Sequence, residues 1–220
     1  MSHRASVLLV WAGQPLESAP PGLGHLASFL EQNGYQTEMV GIEAGGSERL
    51  CALCEELDIS ILGFSGLTCQ MTTVYKLASE VKKERPQTIV VLGGVHPSGL
   101  PLRTLGECDA LDAVVIGEGE RTILALAKAA EGGERLSRVA GLGLRDGGRL
   151  TITGPRGAIG NLDDLPFPKR EFYEKALGKE VWVDAVRGCI YRCLDCPVPQ
   201  LLGQKSRIRS PESLAGEIEM

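Results

Sequence analysis

The sequence predicts an α/β fold built on a parallel sheet that is covered on both faces. Short runs rich in β-branched residues and leucine recur from residue 5 to about residue 131, separated by amphipathic helix patterns. Strand and helix alternate five times in this stretch. The strand runs are apolar at successive positions, as expected when both faces of a sheet are buried, and crossover helices give right-handed connections.

Each predicted element has its own pattern. The strand runs are Ser6 to Trp11, Thr37 to Ile42, Ile59 to Phe64, Thr88 to Leu92 and Ala113 to Ile116. The helix patterns are Leu23, Leu26, Ala27 and Leu30; Ser47 to Leu57; Val74, Leu77, Ala78 and Val81; and Ile123, Leu126, Ala127 and Ala130. The pairs Asn33-Gly34 and Gly132-Gly133 favour helix ends.

The pattern changes after residue 138. Two short apolar runs flank Asp146-Gly-Gly, which predicts a β-hairpin that closes the first unit with an antiparallel edge. Residues 154–170 carry three prolines and cannot continue a helix, so they are predicted to form a linker lying over a surface.

The remaining residues predict one further strand and one helix. The strand runs from Glu180 to Val186, and a helix begins near Ser210. We therefore divide the chain into a first domain, a proline-rich linker and a last segment, with the bounds 1–153, 154–179 and 180–220.

Composition and charge exclude several classes of protein. The chain of 220 residues is 43% hydrophobic and 23% charged, which is globular rather than disordered. A net charge of −5 argues against general affinity for nucleic acid or anionic membranes. We expect a cytoplasmic protein without a membrane span, because no long apolar run and no signal-peptide cleavage site is visible.

Three of the seven cysteines, Cys189, Cys193 and Cys196, lie within eight residues. Their C-x3-C-x2-C spacing follows a predicted strand. Thiolates this close can converge on one face of a 4Fe-4S cube and leave its fourth iron without a protein ligand. The triad therefore predicts a cluster site whose open iron can bind a substrate.

Two other interpretations of the triad stay open. The cysteines could be ordinary loop residues, or they could bind structural zinc, which needs a fourth ligand. Cys51 and Cys54 repeat the C-x2-C spacing, but they are more than a hundred residues away and lie in a helix pattern. We expect Cys69 and Cys108 to be buried or half-buried rather than ligands.

The predicted strands end at glycine-rich segments. In a doubly wound sheet, ligands bind beyond the carboxyl ends of the strands, and glycine lets the backbone approach a large ligand closely. The alternative is that these segments are only turns and helix starts. The candidate cofactor-binding residues are Ser65, Gly66, Leu67, Thr68, Gly93, Gly94, Gly117, Glu118, Gly119 and Glu120.

These motifs, taken together and in order, resemble the radical S-adenosylmethionine (SAM) superfamily and its cobalamin-binding subgroup. Val186 to Pro197 is similar to the cluster loop of the superfamily, and Arg207 to Glu212 is similar to the entry of its first barrel helix. The motifs similar to the cobalamin-binding domain that precedes the barrel are Pro20 to Ala27, Val90 to Pro97, Val115 to Glu120 and Asp163 to Pro168.

The resemblance implies a flavodoxin-like, doubly wound cobalamin-binding domain followed by the first βα unit of an incomplete radical SAM barrel. It implies that Cys189, Cys193 and Cys196 ligate a 4Fe-4S cluster that chelates SAM and cleaves it to a 5′-deoxyadenosyl radical. The implied reaction is methyl transfer from cobalamin to an unactivated carbon. The implied partners are a small-molecule or peptide substrate and an electron donor such as flavodoxin or ferredoxin.

Two alternatives to methyl transfer remain. One is radical cyclisation or rearrangement on the same scaffold, and the other is a non-catalytic cobalamin-binding module with a vestigial cluster loop. The later strands of the barrel are absent from these 220 residues. We therefore expect this chain alone to show no catalytic turnover.

The sequence departs at two places from the patterns of the families that it resembles. Asp195 stands where an aromatic residue is common, and a carboxylate there disfavours cluster reduction. No D-x-H-x-x-G loop follows the first strand, and the histidines are His3, His25 and His96. We expect the lower face of cobalamin to be free of histidine, with His96 as a polar turn residue; the alternative is that His96 binds cobalt.

Overall fold

A seven-stranded sheet organises the part of the chain that the structure, a computed structural model, describes, which is residues 5–13, 21–169 and 182–220. Its strands are β1 Ser6–Ala12, β2 Gln36–Ile42, β3 Ile61–Ser65, β4 Ile89–Gly93, β5 Ala113–Val115, β6 Leu142–Asp146 and β7 Arg149–Ile152. The strand order is β2-β1-β3-β4-β5-β6-β7. The first five strands are parallel, and their order confirms the flavodoxin-like prediction.

Six helices of the described residues cover this sheet. They are α1 Pro21–Gln32, α2 Ser47–Glu56, α3 Met71–Glu84, α4 Val95–Gly99, α5 Pro101–Glu107 and α6 Glu120–Glu131. None of the helices within the described ranges has the length and hydrophobicity that crossing a bilayer requires.

Alternate residues of β1 point to two separate cores. Val7 and Leu9 pack with α1 and α6 on one face of the sheet. Leu8 and Val10 pack with α2 and α3 on the other face. The successive apolar positions of the central strands thus reflect burial on both sides, as the sequence predicts.

The five strands predicted between residues 6 and 116 are confirmed, with shifted ends. The third begins at Ile61 rather than Ile59, because Ile59 still closes the end of α2: its amide donates to the Cys54 carbonyl at 2.9 Å. Asp58, just before it, has a left-handed φ of 45°. The short helices α4 and α5 have no counterpart among the predicted patterns, because five and seven residues are too few for an i, i+7 repeat.

The predicted hairpin is confirmed, and the described residues of the predicted linker contain no α-helix. β6 pairs antiparallel with β5 and with β7, and the turn uses positive φ at Gly147 and Gly148. The end of the described part of the linker, residues 166–169, lies against α1, where the Lys169 amide donates to the Gly24 carbonyl at 3.1 Å. A Cβ on Gly24 would lie only 3.0 Å from the Pro168 side chain, so glycine allows this close approach.

The last described segment, residues 182–220, contains β8 Val186–Arg187, α7 Val198–Leu201, β9 Arg207–Ile208 and α8 Pro211–Ile218. The prediction of a strand from Glu180 to Val186 is wrong for residues 182–185, which are not strand; Glu180 and residue 181 lie outside the described ranges. β8 pairs over only two residues with β9, antiparallel.

The predicted helix start near Ser210 is confirmed, because the Ser210 hydroxyl accepts from the Ser213 amide at 3.1 Å. The linker holds this start from outside: the Asp163 carboxylate accepts from the Ser210 amide at 3.0 Å. That contact, followed by the Ser210 hydroxyl, lowers the pKa of Asp163.

His25 of α1 gives the stability of the fold a pH dependence. Its side chain is buried, its Nδ1 lies 3.2 Å from the Pro166 carbonyl, and burial followed by Arg187 lowers its pKa below the ordinary 6.5. The unfolded chain therefore takes up a proton on this histidine at a higher pH than the folded chain does.

We expect the free energy of unfolding to fall as the pH drops below 6.5, and His25→Gln to reduce that slope. One proton accounts for at most about 1.4 kcal/mol per pH unit. Urea unfolding at several pH values between 7 and 5 measures both slopes. Equal slopes in the two proteins would contradict this assignment.

Candidate functional site

A cavity of about 550 Å³ opens at the carboxyl ends of the parallel strands. This volume lies within the range of small-molecule and cofactor sites. Its apolar floor comes from the ends of the central strands and from α1 and α6, and includes Leu9, Trp11, Leu26, Val91, Val115 and Ile123. Sequence reasoning did not single out this floor, because the same residues are ordinary core positions of their strands and helices.

Nine of the ten candidate cofactor-binding residues line this cavity. Thr68 is the exception: it is exposed, and its hydroxyl lies 3.1 Å from His96 Nδ1. The other nine are Ser65, Gly66, Leu67, Gly93, Gly94, Gly117, Glu118, Gly119 and Glu120. Cofactor binding by these residues stays a prediction.

The loops that follow β3 and β4 contact each other through backbone atoms. The Gly66 amide donates to the Gly93 carbonyl at 3.0 Å. Gly94 has a φ of 104°, and a Cβ there would lie 2.9 Å from the Gly66 carbonyl oxygen. Only glycine fits such a position without strain, so Gly94 allows the two loops to meet through their backbones at the cavity edge.

Ser98 of α4 fixes the loop after β5, and sequence reasoning missed it. Its hydroxyl accepts from the Gly117 amide at 3.0 Å and lies 3.4 Å from the Val115 carbonyl. Gly117 itself has a φ of 77°. No sequence motif links these residues, since the contact arises only when α4 packs on β5.

The carboxylates of Glu118 and Glu120 bind two arginines of the last segment. Glu118 Oε1 lies 2.5 Å from Arg207 Nη2, and Glu120 Oε1 lies 2.7 Å from Arg187 Nη2. Burial alone would lower the pKa of Arg187, but the Glu120 carboxylate raises it. Arg187 also lines the cavity, so the last segment supplies part of the cavity wall.

The cysteine loop follows β8 and lies in the chain between two residues that line this cavity, Arg187 and Leu202. Cys189 and Cys196 are half-buried and Cys193 is exposed. The Cys189 amide donates to the Gly203 carbonyl at 3.1 Å, and the Cys196 amide to the Cys193 carbonyl at 3.3 Å. Within the described ranges, no three His, Cys, Asp or Glu side chains lie close enough together to hold a metal ion, so these thiols do not converge here.

The donor set nevertheless suits an iron–sulfur cluster. Three thiols on one loop, none of them fully buried, are the soft ligands that such clusters take. At the base of the loop, the absence of a Cβ on Gly188 lets the Lys205 carbonyl approach closely. Cluster ligation by Cys189, Cys193 and Cys196 stays a prediction.

Three of the other four cysteines are buried, unlike those of the triad. Cys51 and Cys54 lie in α2 and pack in the core, as expected, and burial raises the pKa of Cys54 to about 11. Cys108 is buried as well, whereas the prediction that Cys69 is at least half-buried is wrong, since it is exposed. Buried, protonated thiols in α2 are poor partners for a zinc site shared with the loop.

The two described histidines do not line the cavity. His96 is 9% exposed and bonds to Thr68, which fits the expectation of a polar turn residue at the start of α4. His25 faces the linker, and His3 lies outside the described residues. Asp195 is exposed on the cysteine loop.

Comparison with known proteins matches residues 10–127 to the B12 binding domain family. An uncharacterized methyltransferase of Pyrococcus horikoshii is 30% identical over 207 residues, covering 91% of this chain and 45% of its own length. The anaerobic magnesium-protoporphyrin IX monomethyl ester cyclase of a Synechocystis species is 30% identical over 224 residues, covering 93% and 43%. The chain thus spans less than half the length of these relatives.

A solved structure has the same fold over nearly the whole chain. The cobalamin-dependent S-adenosylmethionine radical enzyme OxsB, with aqua-cobalamin and S-adenosylmethionine bound, superposes with a TM-score of 0.84 at 20% identity. The match covers 99% of this chain and 31% of that one, so it includes the cysteine loop region as well as the sheet.

Proposed function

Because the chain belongs to the B12 binding domain family, we propose that it is the cobalamin-binding part of a radical SAM enzyme. The observation that carries this proposal is the cavity of about 550 Å³ at the strand ends, bounded by bare glycine loops on one side and by Arg187, two residues before Cys189, on the other. A large ligand in this cavity would therefore lie close to the base of the cysteine loop.

In this proposal the backbone of the glycine loops holds cobalamin. Gly66, Gly93, Gly94 and Gly117 let a flat ring system approach the strand ends, while Trp11 and its apolar neighbours keep water from the floor. Ser65 offers a hydroxyl at the same edge.

Cys189, Cys193 and Cys196 would hold the 4Fe-4S cluster in this proposal. When bound, the cluster supplies the electron that cleaves SAM, and cobalamin carries the transferred methyl group. The protein chain contributes thiol ligands on an anchored loop, and Tyr191 and Leu194 are exposed beside them, where an electron donor such as flavodoxin or ferredoxin has access.

We infer methyl transfer to a small-molecule substrate as the reaction of the whole enzyme, supported by the Pyrococcus horikoshii methyltransferase relative. A second candidate is radical ring closure, favoured by the equally identical cyclase relative. Both use the same cavity and cysteine loop, so the two candidates differ in the substrate and not in the residues described here.

We expect the chain to retain about one equivalent of hydroxocobalamin through gel filtration, because the cavity offers a concave, largely apolar site. The visible spectrum of the eluted protein measures the bound fraction and should differ from that of free hydroxocobalamin. Elution of colourless protein after incubation with excess ligand would contradict the proposed function.

A further inference from the structure

Two buried ion pairs join the loop after β5 to the cysteine-bearing segment. The side chains of Glu118 and Arg207 are 6% and 13% exposed, and those of Glu120 and Arg187 are 4% and 12% exposed. Glu118 belongs to the loop after β5 and Glu120 is the first residue of α6, whereas both arginines belong to the two-stranded β8–β9 ladder.

The β8–β9 ladder depends on these carboxylates. Arg187 and Arg207 are direct cross-strand partners, and like charges placed opposite each other destabilise a strand pair. The apolar partners in the same ladder, Val186 and Ile208, are 50% and 70% exposed, so they bury little surface. The glutamates therefore neutralise the charge at this ladder and supply the contacts that its apolar residues do not.

Glu118 also ties the linker into the same contact. Its Oε2 accepts from the Ile159 amide at 2.7 Å. Arg207 in turn donates to the Ile159 carbonyl and to the Leu202 carbonyl, both at 2.7 Å. These ion pairs and hydrogen bonds are directional, so they fix an orientation as well as a contact.

We propose that Glu118 and Glu120 are positioning residues that set where the cysteine loop stands relative to the cavity. Arg187 lies two residues before Cys189, so holding its guanidinium holds the base of the loop. This inference rests on the proposed function for the identity of the ligands, but the contacts themselves do not depend on any ligand.

A consequence is that cavity and loop are thermodynamically coupled. Gly117 and Gly119 line the cavity beside the two glutamates, and Arg187, which is paired with Glu120, belongs to the wall that the last segment supplies. A ligand that contacts both walls favours the docked segment, and by linkage the docked segment favours the ligand.

Hydrogen exchange of the ligand-free chain, read by mass spectrometry, tests the positioning role. In Glu118→Gln and in Glu120→Gln, peptides spanning residues 186–208 should exchange about ten- to a hundred-fold faster, because each variant leaves a buried arginine without its carboxylate counter-charge. Peptides of β1, β3 and β4 should keep their protection. Glu120→Asp, which keeps the charge with a shorter reach, serves as a second variant if Glu120→Gln does not fold.

The matched control is Asp146→Asn, which breaks an exposed pair: Asp146 lies 3.4 Å from Arg135, and the two side chains are 48% and 75% exposed. This variant should leave exchange of residues 186–208 unchanged, since exposed pairs contribute little. Unchanged exchange in both glutamate variants, or equal acceleration across the whole sheet, would overturn the positioning role.

A second arm adds hydroxocobalamin. It should slow exchange of residues 186–208 in the wild-type chain and slow it less in Glu120→Gln. Retention of cobalamin without slower exchange would overturn the coupling. Failure of the wild-type chain to retain cobalamin would contradict the proposed function alone, since the ligand-free comparison still decides the positioning role.

Discussion

The Gly94→Ala variant should not retain hydroxocobalamin. Gly94 has φ 104° and ψ −170°, a conformation that L residues rarely adopt. The new Cβ would also lie 2.9 Å from the Gly66 carbonyl oxygen and 3.0 Å from its amide nitrogen. Because backbone atoms of the neighbouring loop cannot rotate away as a side chain would, the two loops must separate.

We expect this separation to cost about 2–4 kcal/mol of folding stability. The loops that form the cavity edge would then no longer meet, so the loss of ligand should exceed the loss of fold. Gel filtration with hydroxocobalamin and urea unfolding measure the two effects on the same preparation.

Gly99→Ala is the matched control. Gly94 immediately precedes helix α4 and Gly99 is its last residue, but a Cβ on Gly99 would meet nothing within 4 Å. It should retain cobalamin and stability. Normal cobalamin retention by Gly94→Ala would show that the glycine turn after β4 is only a turn, and would remove that loop from the site.

The second large effect is expected for the triple variant in which Cys189, Cys193 and Cys196 become alanine. After anaerobic reconstitution with iron and sulfide, the wild-type chain should bind about four irons and show a charge-transfer absorption band. The triple variant should bind essentially none, because the four remaining cysteines include three buried thiols.

Cys69→Ala removes an exposed cysteine outside the triad and should leave the iron content unchanged. Binding of zinc without iron by the wild-type chain, or full iron content in the triple variant, would contradict a cluster at this loop. If the loop is vestigial, the wild-type chain should bind no iron.

Local patterns were enough to predict the sheet. β1 to β5 and the helices α1, α2, α3 and α6 each carry a periodicity that depends on their own residues, whereas the flavodoxin-like arrangement of the strands was implied by the family resemblance. The glycine segments at the strand ends were predictable for the same reason, since parallel strands bring their carboxyl ends to one edge.

The contacts between distant segments were not predictable in this way. Nothing in the local sequence of Glu120 distinguishes a cavity residue from the partner of Arg187, because the pair forms only when β8 packs against the loop after β5. The β-rich run before Val186 suggested a longer strand than the structure has. A strand needs hydrogen-bonding partners as well as propensity, and β9 offers only two residues.

The floor of the cavity is also the upper layer of a hydrophobic core, since Leu9, Val91 and Val115 belong to both. Substitutions that would adapt the cavity floor to a different ligand therefore lower the stability of the fold, because they remove packing that the sheet requires. Residues at the rim of the cavity can vary more freely. Leu67 and Val95 are partly exposed there, so their substitution should cost little stability. Among descendants of such a scaffold, we expect a constant floor beneath a variable rim.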